Sequence, residues 1–219
     1  MTKDKSAVCF TAVEAIVYIA FFIADLFQAY AFADVLKYAS ILLCLIYALI
    51  RTAGGGERMI PLALAFTAAA DSLLLVAQRG YALGILFFLV VQGLYAVRLR
   101  MDDRRSVAWR IGLALFFWGV LSLCKLAQGI NLLAALYFSQ LLCNVALAWR
   151  GRRDRLFALG LTLFAACDIC VGLRNVPELL PDLLFTLVCF GMWAFYLPSQ
   201  VLIALSAKPK SEVQKNAGK

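Results

Sequence analysis

The chain has 219 residues, of which 64% are hydrophobic and 16% charged, and its formal net charge is +8. Soluble domains are nearer to about 45–50% apolar, so the composition excludes a soluble globular protein and predicts one integral membrane domain. The basic residues stand between apolar runs rather than in one basic stripe, which argues against nucleic-acid binding. We interpret the excess of Lys and Arg as information about topology.

Eight apolar runs are long enough, or nearly so, to cross a bilayer, which needs about 20 residues per helix. They cover residues 7–27, 33–50, 59–77, 81–97, 107–123, 130–149, 156–173 and 183–205. Short connections predict antiparallel neighbours. We therefore predict an all-α bundle of eight transmembrane helices over residues 1–206, followed by a disordered basic tail over residues 207–219.

The 21 Lys and Arg residues divide unevenly between the two sides of this bundle. One side receives only four, and all the others fall on the opposite side with both termini. The four are Lys37, Arg79, Lys125 and Arg174. The positive-inside rule places the richer side, and so both termini, in the cytoplasm. Lys37 lies one turn after Asp34, and the two side chains can pair at the membrane surface.

Two features of the sequence predict local breaks in the helices. Gly54 to Gly56 form a turn rather than a phosphate cradle, because no Lys-Ser or Lys-Thr pair follows them. Pro198 lies inside the eighth run, where its missing N–H is expected to leave a backbone carbonyl without its helical donor.

Metal and disulfide chemistry have little support in the sequence. The seven cysteines fall in apolar runs and are odd in number, and histidine is absent. Cys167 and Cys170 form a single C-x-x-C pair, which we interpret as polarizable packing residues. We expect neither a metal nor an organic cofactor.

Two aspartates occupy similar positions in the third and seventh runs. Asp71 lies 13 residues after Arg58, and Asp168 lies 13 residues after Arg155. Both carboxyls are therefore expected at the same depth, which hints at a repeat of four plus four helices. A charged carboxylate at the centre of a bilayer costs about 2.5–3.5 kcal/mol, so the pair favours a functional polar cavity. We take Asp71 and Asp168 as candidate catalytic residues.

Other polar residues form stripes at helical spacing in the remaining runs. The candidate substrate-binding residues among them are Gln92, Tyr95, Tyr137, Gln140, Asn144, Tyr196 and Gln200. A further stripe in the first run contains Glu14, Tyr18, Asp25 and Gln28. Two interpretations stay open: the stripes line one cavity with the aspartates, or they hydrogen-bond between neighbouring helices. Glu14 and Asp25 can equally lie at the two headgroup layers.

Three segments carry a resemblance to a known family. They are Ala70-Asp71-Ser72-Leu73-Leu74 with Gly84 to Phe88 and Gln92-Gly93-Leu94-Tyr95; Leu163 to Asp168; and Tyr196 to Ile203. Their order is similar to that of the YhhN/TMEM86 family, which has Gly-Asp-x-x-Leu, Gly-x-x-x-Phe, His-x-x-Tyr, Leu-Phe-x-x-Ser-Asp and Tyr-x-x-x-Gln-x-Leu-Ile. This chain departs from the pattern at Gln92 for the histidine, Ala70 for the glycine and Cys167 for the serine.

The resemblance implies an eight-helix membrane hydrolase of the lysoplasmalogenase type. Such enzymes cleave the vinyl-ether bond of a lysoplasmalogen into a fatty aldehyde and a glycerophospho-headgroup. The implied partner is a membrane lysophospholipid, and the implied location is the bacterial cell membrane.

Vinyl-ether hydrolysis starts with proton transfer to carbon, and water then captures the oxocarbenium ion. Two carboxyls in a secluded pocket can supply this chemistry, one as the acid and the other as a base or cation stabiliser. Asp71 and Asp168 are the candidates, in either order. Two other classes stay open: a proton-coupled transporter of lipid or solute, and a lipid-binding protein without catalysis.

Overall fold

The computed structural model describes residues 5–77, 79–99, 104–151 and 154–211, and these form eight α-helices and no β-strand. The helices are α1 (Lys5–Leu26), α2 (Tyr30–Thr52), α3 (Met59–Asp71), α4 (Tyr81–Arg98), α5 (Arg104–Leu123), α6 (Gly129–Gly151), α7 (Arg155–Arg174) and α8 (Asp182–Leu205). A π-helix, Ser72–Val76, continues α3, and a 3-10 turn, Pro177–Leu179, precedes α8. The predicted all-α class with eight helices is confirmed.

Length and composition make seven of the described helices able to cross a membrane. The segment from α3 extends through the π-helix to Val76, whereas α5 contributes a shorter apolar stretch, Val107–Leu123. A helix satisfies its backbone hydrogen bonds internally, which is why apolar spans of this kind are stable in lipid. Large apolar side chains such as Leu26, Leu123 and Leu183 are exposed on the outer surfaces. The chain is therefore a polytopic membrane protein.

Six of the described helices pack in a closed ring, in the order α2, α3, α4, α6, α7 and α8, with α8 returning to α2. The other two lie outside the ring: α5 packs on α6, and α1 packs on α2 and α8. Within each set of four helices, α1 to α4 and α5 to α8, each helix packs on the next one along the chain. The two sets also join in equivalent ways, because α4 packs on α6 and α8 packs on α2. This arrangement has the pattern expected of a repeat of four plus four helices.

Helices α7 and α8 form an extensive contact, and two glycines permit their close approach. A Cβ atom at Gly160 would lie 2.8 Å from Cγ1 of Ile203 and 3.0 Å from the backbone oxygen of Ser199. A Cβ atom at Gly191 would lie 3.0 Å from Sγ of Cys170. Small residues at such crossings let helix backbones approach in membranes.

The carbonyl that Pro198 leaves free is used to attach α1. Pro198 lies inside α8 and has no N–H for the carbonyl of Ala194, four residues earlier. The hydroxyl of Tyr18 donates a 3.2 Å hydrogen bond to that Ala194 oxygen. The loss of one helical bond in α8 therefore creates an acceptor for α1.

Arg98, at the end of α4, joins several chain segments at one end of the bundle. Its guanidinium contacts Glu57 before α3 at 2.5 Å and Asp154 before α7 at 2.9 Å. It also donates a 2.9 Å bond to the backbone oxygen of Ser206, and its charge lies 4.1 Å from the ring centre of Phe157. We call this contact set the Arg98 junction; it ties the ends of α4 and α8 to the starts of α3 and α7.

The first residues of the predicted tail pack on the same end. Ala207 is buried, and its oxygen accepts a 2.9 Å bond from Nε of Arg51. The oxygen of Lys208 accepts a 2.9 Å bond from the backbone N–H of Glu57. The part of the predicted tail from residue 212 onward lies outside the described residues.

Lys37 occupies the opposite end of the bundle. Its ammonium lies 3.2 Å from Asp34, which confirms the predicted pair, and 3.4 Å from Asp25 of α1. It also lies 4.5 Å from the ring centre of Trp193 on α8. The pairing with Asp25 explains why this carboxyl of the first polar stripe does not face the interior.

Candidate functional site

Asp71 is the last residue of α3 and is almost completely buried. The hydroxyl of Tyr196, on α8, donates a 2.6 Å hydrogen bond to its Oδ2. Immediately after Asp71 the chain changes to a π-helix, in which the N–H of Ala77 bonds to the oxygen of Ser72. Such single-turn π segments within helices are frequent at functional sites.

Asp168 lies in the middle of α7 and is half-buried. Oδ2 of this carboxyl accepts a 2.5 Å hydrogen bond from the hydroxyl of Tyr137 on α6. Each candidate catalytic carboxyl is therefore held by a tyrosine from another helix. Asp168 is the more accessible of the two.

The two pairs belong to one region of the interior. Cys167 precedes Asp168 on α7, and the rings of Phe88 and Phe164 link the ring of Tyr137 to that of Tyr196. No hydrogen bond joins the two carboxyls directly. We call Asp71, Tyr137, Cys167, Asp168 and Tyr196 the carboxyl–tyrosine cluster.

Aromatic rings connect the two halves of this cluster. The ring of Phe88, on α4, lies 5.8 Å from that of Tyr137 and 5.7 Å from that of Phe164. Phe164 in turn lies 5.7 Å from Tyr196. Both phenylalanines are buried, so the two tyrosines that hold the carboxyls belong to one packed layer of aromatic rings.

The electrostatic setting of the cluster is unusual for buried acids. Among the described residues, no lysine or arginine forms an ion pair with Asp71 or Asp168. Their hydrogen-bond donors are the neutral hydroxyls of Tyr196 and Tyr137. A carboxyl held in this way can exchange a proton without breaking an ion pair, as acid–base chemistry requires.

Three of the candidate binding residues belong to a second polar group. The amide nitrogen of Asn144 donates to Oε1 and to the backbone oxygen of Gln92, both at 2.9 Å. Arg110, on α5, donates at 2.5 Å to Oδ1 of Asn144 and at 2.8 Å to Oε1 of Gln140. We call Gln92, Arg110, Gln140 and Asn144 the arginine ladder; it crosses from α5 over α6 to α4.

The remaining two candidate binding residues are buried outside these hydrogen-bonded groups. Tyr95 packs edge-on against Phe157 at 5.2 Å, and its hydroxyl has no hydrogen-bond partner among the described residues. Gln200 donates a 3.2 Å bond to Ser199, and its side-chain oxygen has no partner within the described ranges. The structure thus brings Tyr137 and Tyr196 into hydrogen bonds with the aspartates, whereas Tyr95 and Gln200 form none with them.

Glu14 is another buried carboxyl, but it lies against α2. Its Oε2 accepts a 2.6 Å bond from Ser40, and its Oε1 accepts a 3.6 Å bond from the thiol of Cys44. Neither Ser40 nor Cys44 was a candidate from the sequence, because single small polar residues in an apolar run carry no distinctive spacing. The sequence does not single out Arg110 either, because a cation near the start of an apolar run is also typical of the residues that flank a span.

A family comparison covers most of this structure. The sequence model of the YhhN family matches residues 32–207, which include both aspartates and both tyrosines of the carboxyl–tyrosine cluster. Neither a search of curated proteins nor a search of solved structures found a match. Because the family match covers more than half of the chain, the protein belongs to the YhhN family.

Proposed function

We propose that this protein is a membrane lipid hydrolase of the lysoplasmalogenase type, which cleaves the vinyl-ether bond of a lysoplasmalogen. The observation that carries the proposal is the carboxyl–tyrosine cluster. It contains a buried and a half-buried aspartate from equivalent helices, each held by a neutral hydroxyl and neither paired with a cation among the described residues. Family membership supports the proposal, since the cluster lies within the matched residues.

The reaction needs one proton donor, one proton acceptor and one water. One aspartic acid gives its proton to the vinyl carbon farther from the ether oxygen, and an oxocarbenium ion forms at the other carbon. The second aspartate, as carboxylate, takes a proton from the water that adds to this cation. The resulting hemiacetal breaks its C–O bond, its hydroxyl proton passes to the leaving oxygen, and a fatty aldehyde and a glycerophospho-headgroup are released. The proton taken from water restores the acid through the cluster.

Tyr137 and Tyr196 position the carboxyls in this scheme. Each donates its only O–H to one carboxyl oxygen, which leaves the other oxygen of that carboxyl for the substrate or water. Asp168 is half-buried, so the vinyl ether approaches from its side of the cluster. The aromatic layer of Phe88 and Phe164 packs against Tyr137 and Tyr196, which helps to hold the two hydroxyls in position.

One observation also favours a second function, proton-coupled transport. Buried carboxyls without cation partners serve as proton sites in membrane transporters. Such a protein would move lipid or solute with protons and release no aldehyde. The two functions therefore differ in a product that can be measured directly.

The test is aldehyde release by the purified protein in lipid nanodiscs given a lysoplasmalogen. The matched substrate controls are the 1-alkyl ether, which lacks the double bond, and the 1-acyl lysophospholipid. We expect aldehyde from the vinyl ether alone, and an unchanged rate with Asp182→Asn, which removes an exposed carboxyl at the start of α8. Absence of aldehyde, together with proton-dependent flux in liposomes, would favour the transporter instead.

A further inference from the structure

Arg110 is a buried cation whose hydrogen bonds all go to neutral groups. The residue is 8% exposed, although it belongs to α5, the helix with the least contact to the ring. Its two terminal nitrogens donate to the side-chain oxygens of Gln140 and Asn144, and its Nε has no partner among the described residues. No carboxylate of the described chain lies within ion-pair distance of it.

Two other cations provide an internal comparison. The side chain of Lys37 is 6% exposed and pairs with Asp25 and Asp34. The side chain of Arg98 is 7% exposed and pairs with Glu57 and Asp154. Each of these equally buried charges thus has two carboxylates, whereas Arg110 has none. An uncompensated buried charge is expensive, so the absence of a counter-charge at Arg110 points to an anion from outside the chain.

The chemistry of the arginine ladder indicates which anion fits. A guanidinium binds phosphate oxygens through parallel N–H donors, and it does so better than an ammonium group. A second free donor is close by, because Nε2 of the fully buried Gln92 has no partner in the described ranges. Asn144 connects the two residues. We propose that Arg110 and Gln92 bind the phosphate group of a lysophospholipid, which deepens the proposed function and rests on it for the identity of the substrate.

The position of the ladder suits this role. Asn144 lies seven residues after Tyr137 on α6, which is two turns along the same face. The ladder therefore lies about 10 Å along the helix axis from Tyr137, the residue that holds Asp168. A glycerol backbone, with an ether oxygen at one end and a phosphate at the other, spans this interval with help from the long Arg110 side chain. The ladder lies toward the end of the bundle that carries the Arg98 junction, so the headgroup points to that end.

The proposed lipid would enter from the bilayer beside α5. The helix α1 packs on both α2 and α8, whereas its counterpart α5 packs extensively on α6 alone. The ladder therefore lies beside the less closely packed edge of the ring. A single-chain lipid enters here with its phosphate near Arg110 and its chain toward the membrane centre.

The experiment measures binding of ligands that the enzyme cannot cleave. The probes are a 1-alkyl lysophosphocholine and the matching 1-alkylglycerol, which lacks the phosphate, titrated by calorimetry into protein in nanodiscs. For Arg110→Gln we expect a loss of tenfold or more in affinity for the phospholipid and less than a twofold change for the alkylglycerol. The control is Arg150→Gln, which removes an exposed cation near the same end and is expected to change neither affinity.

A second variant tests the charge without removing the arginine. Asn144→Asp places a carboxylate where Arg110 already donates, so the chain supplies its own counter-charge. We expect this variant to lose affinity for the phospholipid, while its affinity for the alkylglycerol changes less than twofold. Equal losses for both ligands, unchanged phospholipid binding, or the same loss in Arg150→Gln would overturn the assignment to Arg110.

Two further arms separate the sources of phosphate and the two proposals. Inorganic phosphate at millimolar concentration should leave lysolipid binding unchanged; full competition would contradict a lipid ligand and indicate a free-phosphate site. The binding probes are not hydrolysed, so binding is measured independently of the reaction. Selective binding of the phospholipid probe, with no aldehyde released from a lysoplasmalogen, would contradict the proposed hydrolase but support the phosphate site. Aldehyde release from a lysoplasmalogen without selective binding of the phospholipid probe would support the hydrolase and contradict the phosphate site.

Discussion

The hydroxyl of Tyr196 donates a 2.6 Å hydrogen bond to Oδ2 of Asp71, 125 positions earlier in the sequence. The bond joins α8 to α3, and both partners are buried. Tyr137 and Asp168 repeat the same chemistry between α6 and α7. The tyrosines therefore fix which way each carboxyl faces, and their hydroxyls can be removed without emptying the space their rings occupy.

We predict that Tyr196→Phe lowers aldehyde release by about 10- to 100-fold. A hydrogen bond to a charged group contributes about 1.5–3 kcal/mol, which corresponds to this range of rates when it is lost in the transition state. The measurement is the turnover rate with saturating lysoplasmalogen. Tyr18→Phe removes a hydroxyl from the α1–α8 contact and serves as the control, with an unchanged rate. Equal rates for both variants would show that the Tyr196 hydroxyl does not position the carboxyl.

The crossing of α7 and α8 predicts an effect on stability. Gly160→Ala puts a Cβ atom against the backbone of α8, so we expect a loss of about 1–3 kcal/mol in the free energy of unfolding. Gly172→Ala, on the same helix, meets nothing within 4 Å and should be neutral or slightly stabilising. Denaturation in mixed detergent micelles measures both, and similar values for the two variants would exclude close packing as the role of Gly160.

The Arg98 junction predicts a large effect far from the carboxyl–tyrosine cluster. Arg98→Gln removes the cation that pairs with the partly buried carboxylates of Glu57 and Asp154 and leaves Asp154 only its 3.8 Å contact with Lys208, so we expect destabilisation by about 2–4 kcal/mol. Adding Glu57→Gln to this variant should restore part of the loss, and a double-mutant cycle measures the coupling. A coupling energy near zero would mean that the ion pair does not hold this end together.

Glu14 provides a test of which buried acids take part in the reaction. Its carboxyl is held by Ser40 of α2 and lies outside the carboxyl–tyrosine cluster. We therefore expect Glu14→Gln to release aldehyde at a rate within twofold of the wild type. A loss as large as that of a cluster variant would require a proton path from α1, which the proposed mechanism does not contain.

Much of the fold could be predicted because it depends on local patterns. Each apolar run became a helix, and the Asp34–Lys37 pair follows from spacing on one turn. The π-helix after Asp71 could not be predicted, since no residue type in Ser72–Val76 requires it. Helix existence is a matter of composition, whereas a change of helix type depends on the neighbours against which the segment packs.

Which tyrosine bonds to which aspartate depends on contacts between helices that are far apart in the sequence. The polar stripes placed Tyr137 and Tyr196 on inward faces, but α8 follows α7 directly, so sequence order alone would favour Tyr196 beside Asp168. In the ring α8 packs on α7 and α2, yet the side chain of Tyr196 reaches across the interior and bonds to Asp71 of α3. Arg110 was missed for a related reason: it lies inside the run 107–123, and only the packing of α5 on α6 shows that its charge is buried.

The most direct test of the central claim is aldehyde release by Asp71→Asn, Asp168→Asn and the double variant, with Glu14→Gln as the buried-acid control. Asparagine keeps the shape of the side chain but can neither give nor take the proton. We predict that each single variant loses at least 1000-fold in rate, that the double variant is no worse because the two carboxyls act as a unit, and that Glu14→Gln stays active. Full hydrolysis by either single aspartate variant would contradict the account.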